Sequence, residues 1–187
     1  MRAKFKKLVP RGKKSSGFTL IEMLIVMIIL GILAMIIIPQ ITVSTEDAKV
    51  STLKTNLTGM RSAIEIYYAQ HGNVYPGVKD SGVTGGAGTS VAFIAQLTQF
   101  TDVDGLVSGT KVGNFIYGPY IKGGALPANP FVTDTDKANK VSVEATADIT
   151  TIRAVVTGGN GWVAWPTVGI FFANDGGASS GVNHIDY

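Results

Sequence analysis

The chain has 187 residues, 16 basic and 13 acidic, a net charge of +3 and an isoelectric point near 9.1. Seven of the basic residues are Arg2, Lys4, Lys6, Lys7, Arg11, Lys13 and Lys14. The basic character therefore belongs to the N terminus, and with no basic patch interleaved with aromatics, no nucleic-acid partner is expected. Cysteine is absent, which excludes a disulfide scaffold.

The basic run ends at Gly17. Phe18 to Ile38 then gives 21 residues in which Glu22 is the only charge. At about 1.5 Å per residue this is roughly 31 Å of helix, enough to cross a bilayer. A carboxylate near the start of such a helix costs at least a few kcal/mol in lipid, so it needs a partner. An ordinary secretory signal puts its small cleavage residue after the apolar stretch. Here Gly17 comes before it, so cleavage would remove the leader and keep the helix. The processed chain would carry nine basic and 13 acidic side chains, a net of −4. The leader's charge holds it in the cytoplasm and sends the chain beyond the helix outside.

Pro39 cannot donate a backbone hydrogen bond, so a kink or local melting is expected there. Beyond it, Val43, Val50, Leu53, Leu57, Met60, Ile64 and Tyr67 recur at helical spacing and predict a one-sided apolar stripe. His71-Gly72-Asn73 predicts the end of that helix. Asn73 to Ser90 reads as a surface loop. Its Gly85-Gly86-Ala87-Gly88-Thr89-Ser90 run lacks the Gly-Lys-Ser/Thr ending of a phosphate loop. Thr89 or Ser90 caps a short helix through Phe100, with Val91, Phe93, Ile94, Leu97 and Phe100 as its apolar side.

The remainder is β-rich. Phe115–Ile121 and Ala125–Phe131, broken by Gly and Pro, read as ordered loop. Ile149–Thr157, Trp162–Trp165 and Val168–Ala173 predict an antiparallel meander, with Val141–Glu144 a possible edge. A sheet packed across the stem helix makes an α+β head. About 115 residues after the stem suffice for a modest core.

No catalytic motif stands out, and the chain reads as a non-enzyme. His71 and His184 read as solvated termini. Trp162 and Trp165, three apart on a strand, should face opposite sides, one in the core and the other open to a ligand. Asn56-Leu57-Thr58 fits a glycosylation sequon but falls on the stem helix and is discounted.

Lys13-Lys14-Ser15-Ser16-Gly17, Phe18-Thr19-Leu20-Ile21-Glu22, Gly31-Ile32-Leu33-Ala34 and Pro39-Gln40 closely resemble the type IV prepilin family, which includes type II secretion pseudopilins. Asp47-Ala48-Lys49, Ala63–Tyr68, Asn73–Pro76, Gly118–Lys122 and Leu126–Phe131 are similar, more loosely, to the stem and head of major pseudopilins. The loop from Val78 to Ser90 and the segment Thr133–Asp148 depart from that pattern. The resemblance implies a pilin fold: a leader over 1–17, a transmembrane and assembly helix over 18–39, an amphipathic stem over 40–72 and a globular head over 73–187. It implies cleavage between Gly17 and Phe18 by a prepilin peptidase and N-methylation of Phe18. Assembly is expected to use Phe18, Glu22, Gly31 and Pro39. Glu22 would pair with the new amine of an adjoining subunit, and Gly31 would allow close helix packing.

The partners implied are further copies of the chain, the peptidase, an inner-membrane assembly platform and minor pseudopilins. The location implied is the bacterial inner membrane, single-pass with the head in the periplasm, and then a pseudopilus or surface filament. Major pseudopilins bind calcium in a loop near the C terminus. Asp175, Asn174, Ser179, Ser180 and Asp186 offer oxygens there, but their spacing matches no trusted pattern, and no cofactor is expected. A pseudopilin of a type II secretion system is the leading reading. A true type IV pilus subunit, a membrane-anchored binding domain and an anchored enzyme are its rivals.

Overall fold

The computed structural model describes residues 17–82, 86–145 and 159–187, without the side chains of 36–44. The chain divides into an N-terminal unit ending at Val43 and a second unit, Ser44–Tyr187. The helix α1, Leu20–Gln70, contributes to both. Helix continues through Pro39, so the expected melting there does not occur. Proline lacks an amide hydrogen, so the helix forgoes one hydrogen bond there.

In the second unit α1 buries the expected stripe from Leu53 on, while Val50 is only half-buried and the Val43 side chain lies outside those described. Leu53, Leu57, Met60, Ile64 and Tyr67 are all almost fully buried. The helix closes with a Schellman bond, the Asn73 amide donating to the Tyr68 carbonyl at 3.0 Å, and Gly72 in the left-handed region at φ +64°.

The short helix α2, Ser90–Thr98, is capped by Thr89, whose Oγ1 accepts from the Ala92 amide at 3.2 Å. It buries Phe93 and Leu97 as expected, but also Gln96 and Thr98, while Val91 is exposed. The helix stops before Phe100, which instead begins β1, Phe100–Thr101, antiparallel to β2, Val107–Ser108.

The main sheet has three strands in the order β3–β4–β5: Val141–Val143, Trp162–Trp165 and Ile170–Ala173. β4 and β5 form the expected antiparallel hairpin, with Trp165 opposite Ile170. β3 is the expected edge, but it runs parallel to β4, so the sheet is mixed rather than wholly antiparallel. A parallel neighbour needs a crossover rather than a tight turn, and 18 residues separate Val143 from Trp162. The expected strand Ile149–Thr157 lies outside the described residues. A small antiparallel hairpin comes next, β6, Ala178–Ser179, with β7, Val182–Asn183, and then a 3₁₀ turn, His184–Asp186.

The core lies between the α1 stripe, α2 and one face of the sheet. Trp162 and Phe171 stack at 5.4 Å beside Leu57 and Phe93. Trp165 and Val163 form a second cluster on the opposite face with Ile170 and Phe172. The two tryptophans do face opposite sides, but neither is open to a ligand: they are 0% and 1% exposed. The hairpin supplies apolar cover on both faces, so β4 is buried throughout. The whole is α+β, a long N-terminal helix with small sheets, as in a pilin fold.

Candidate functional site

Two places carry unusual chemistry. The first is the N-terminal segment. Phe18 and Thr19 precede α1 rather than belonging to it, and Thr19 and Glu22 form a capping box. The Glu22 amide donates to Thr19 Oγ1 at 3.3 Å. Glu22 Oε2 in turn accepts from the Thr19 amide and from Thr19 Oγ1, both at 3.0 Å. This reciprocal arrangement satisfies amides that a helix start otherwise leaves open. The Thr-x-x-Glu spacing was legible in the chain and is a signal the sequence reading passed over.

From Leu20 to Met35 every residue is exposed. Apart from Glu22, these are apolar residues and Gly31 on all sides of the helix, with Leu20 and Met35 at 84% and 79% exposure. A helix apolar all round is normally buried in lipid or among other helices. Gly31 faces open space, with no atom within 4 Å of where a Cβ would stand. Gly17 is equally unobstructed, and Phe18 is 76% exposed. Among the described residues, no helix is long and apolar enough to cross a membrane. The described side chains of the apolar run stop at Met35, three short of the expected Phe18–Ile38 span. The Pro39 side chain also lies outside them.

The second place is the C-terminal loop. His184 is 2% exposed, not solvated as expected. Its Nδ1 lies 2.7 Å from Asp175 Oδ1 and its Nε2 lies 2.8 Å from Ser179 Oγ. The spacing is that of a nucleophile, a base and an orienting acid. Ser179 is 3% exposed, however, and its hydroxyl donates to Glu46 Oε1 at 2.7 Å. A substrate has no approach to such an oxygen, and the cluster reads as structural.

His71 is likewise buried. Its ring stacks on Tyr67 at 3.8 Å. Nδ1 donates to the Tyr67 carbonyl at 2.8 Å, leaving Nε2 to accept from Thr101 Oγ1 at 2.9 Å. Burial pushes this imidazole's pKa below its ordinary value, against smaller opposing hydrogen bonds. Sequence reasoning placed both histidines in solvent: Thr101 lies 30 residues from His71, and Asp175 and Ser179, though near His184 in sequence, meet it through an irregular loop that no periodicity announces. Asn56 Nδ2 is engaged by the Ala128 carbonyl at 3.1 Å, which agrees with discounting the sequon.

The implied calcium can be tested against this geometry. Calcium takes six to eight oxygens. Both Asp175 oxygens already accept N–H donors, and Ser179 is held by His184 and Glu46. Asp186 accepts from Asn183 Nδ2 at 3.4 Å. Asn174 Oδ1 is buried with no partner among the described residues, but it is a single neutral oxygen. No group of three or more His, Cys, Asp or Glu able to hold a metal occurs among the described residues. The donor set does not fit calcium.

Residues 12–38 match the prokaryotic N-terminal methylation motif. The resemblance to type IV prepilins thus holds over the motif, which contains Gly17, Phe18, Glu22 and Gly31. The chain is 40% identical over 55 residues to the type II secretion system core protein G of Pseudomonas aeruginosa, 29% of this chain and 39% of that protein. To the same-named protein of Vibrio cholerae it is 34% identical over 64 residues, 34% of this chain and 43% of that one. To the type IV major pilin protein PilE of Neisseria gonorrhoeae it is 42% identical over 74 residues, 40% of this chain and 42% of that one. The chain thus spans about two-fifths of the length of these relatives. No solved structure matches it.

Proposed function

We propose that this chain is a structural subunit of a pilin-like filament, with a type II secretion pseudopilus as the first reading. One observation carries it: the methylation motif opens an apolar helix that is exposed on every side from Leu20 to Met35. Such a surface needs either lipid or copies of itself. The part of the chain after it has its own core, so the two halves have separate tasks.

On this reading residues 1–17 are a leader removed by a prepilin peptidase, and the new Phe18 amine is methylated. Phe18–Ile38 holds the subunit in the bacterial inner membrane with the head in the periplasm, until an assembly platform and minor pseudopilins draw it into a polymer. Glu22 leaves its capping role in the free subunit to accept the Phe18 amine of an adjoining copy, which sets the register. Two charges that are costly alone in lipid are less costly together. Gly31 admits a neighbouring helix, and Pro39 leaves a gap in the hydrogen-bond ladder where α1 can adjust. The work is mechanical rather than enzymatic. A surface type IV pilus is the second reading, supported by the similarity to PilE.

Co-expression with a prepilin peptidase and mass spectrometry of the product tests the processing. The expected mature chain begins at methylated Phe18, and Gly17→Leu should remain uncut. An N terminus at Met1, or a cut elsewhere, would overturn it. Glu22→Ala should insert and be cleaved normally yet yield no sheared filaments. Filaments at wild-type levels from that variant would remove the register role.

A further inference from the structure

The C-terminal loop resembles a calcium site in position but not in chemistry, and the side chains show what stands there instead. Asp175 Oδ1 accepts from His184 Nδ1 and from the Gly177 amide, each at 2.7 Å, and Oδ2 accepts from Asn129 Nδ2 at 2.8 Å. Three N–H donors are therefore aimed at the oxygens a cation would use. Ser179 Oγ bridges His184 Nε2 at 2.8 Å and Glu46 Oε1 at 2.7 Å. A carboxylate can only accept, so the single Ser179 proton points to Glu46. The imidazole ring then fills the space between Asp175 and, one hydroxyl away, Glu46. Phe131 covers its face at 3.9 Å.

We propose that this loop is closed without a metal, by a hydrogen-bonded clasp running Glu46–Ser179–His184–Asp175–Asn129. The histidine ring, through its two nitrogens, takes the place among these oxygens that a divalent cation would take. The clasp fastens the β6–β7 hairpin to the stem helix at Glu46 and to the segment before β3 at Asn129. The head is then indifferent to calcium, and its fold does not depend on the supply of that ion outside the cytoplasm.

The test is the thermal midpoint of the full chain in detergent, read by the emission of Trp162 and Trp165, in EDTA and in millimolar calcium chloride. A cation bound at 100 times its Kd would raise the midpoint of a chain this size by roughly 5–10 °C. The expected result is the same midpoint in both media. Ser179→Ala should lower it equally in both. Glu46→Ala combined with Ser179→Ala should lose little more than Ser179→Ala alone, because the serine change already removes the bond to Glu46. A rise with calcium in the wild type, or calcium binding seen by calorimetry, would overturn the proposal. So would losses that add in the double variant, since Glu46 and Ser179 would then be acting separately. None of these readings depends on whether the chain polymerises.

Discussion

Replacing Gln96 is the sharpest perturbation of the head. This side chain is 0% exposed on α2. Its Oε1 accepts from the Gly77 amide at 2.7 Å. Its Nε2 donates to the Gly105 carbonyl at 2.8 Å and the Lys79 carbonyl at 3.2 Å. One amide thus joins two loops to the helix. Gln96→Leu preserves most of the volume and removes all three bonds. The Gly77 and Gly105 groups are left buried without partners, at about 1–3 kcal/mol each, while the Lys79 carbonyl is nearer water. Burying leucine in place of an amide returns part of this. The net loss is about 2–4 kcal/mol. At about 2–4 °C per kcal/mol for this chain length, the midpoint should fall by roughly 5–15 °C.

Gln96→Glu distinguishes the cause. It retains the acceptor for Gly77 but sets a carboxylate oxygen against two carbonyls, so it should be worse than leucine. Thermal melts of the three proteins by tryptophan emission give the answer. A leucine variant within about 0.5 kcal/mol of wild type, the range of an ordinary surface change, would refute the keystone role. A glutamate variant more stable than the leucine one would refute the orientation of the amide.

Two further outcomes concern buried groups. His71 is held neutral, so the folded ring binds a proton less readily than the unfolded one, whose pKa is about 6.5. Its contribution is full above that pH and is lost as pH falls below it, levelling off beneath the lowered folded value. The stability gap between wild type and His71→Phe in denaturant melts should therefore narrow from neutral pH toward pH 5, and a constant gap would exclude this titration. At Gly161 an added Cβ would run into the Ala138 carbonyl oxygen. Gly161→Ala should cost about 1–3 kcal/mol in the same melts, as overpacking against backbone does, and a neutral result would mean the 138–161 contact yields freely.

What the sequence disclosed depended on how far apart the interacting residues lie. The stripe from Leu53 to Tyr67 is a property of consecutive turns, so its periodicity was enough. Thr89 as a cap and the Trp162–Ala173 hairpin are also local, and both are found. The parallel pairing of Val141–Val143 with Trp162–Ala164 is not local: alternating β-branched residues announce a strand but carry no direction. His71 fails for the same reason, its partner Thr101 lying 30 residues on. His184 fails for another: Ser179 and Asp175 are only five and nine residues back, but they meet it across an irregular turn with no fixed spacing to read. A buried polar side chain is legible only when its partner stands at a set local spacing. Thr19 and Glu22 are three apart, and there the pattern was available.

The two parts of α1 make the functional argument together. From Leu53 to Tyr67 one stripe is apolar and buried, and the rest of that turn pattern is polar; such a helix is satisfied by its own chain. From Leu20 to Met35 no side is polar except at Glu22, and every side is exposed. A chain with one satisfied and one unsatisfied segment must find its missing partner outside itself. Lipid would cover the apolar side chains but offers nothing to a carboxylate. Helices of other copies would cover the same surface and, once cleaved after Gly17, would bring an amine with them. Glu22 is the residue on which lipid and polymer differ. On the proposed reading, its capping bonds to Thr19 hold the carboxylate at the very end of the helix, where an incoming Phe18 amine would arrive. The helix start is therefore prepared for exchange of a local partner for an intermolecular one. A residue that merely capped the helix could be replaced by glutamine with little consequence, because glutamine completes a capping box equally well. A residue that receives a charge could not. Glu22→Gln is thus the substitution that separates the two roles.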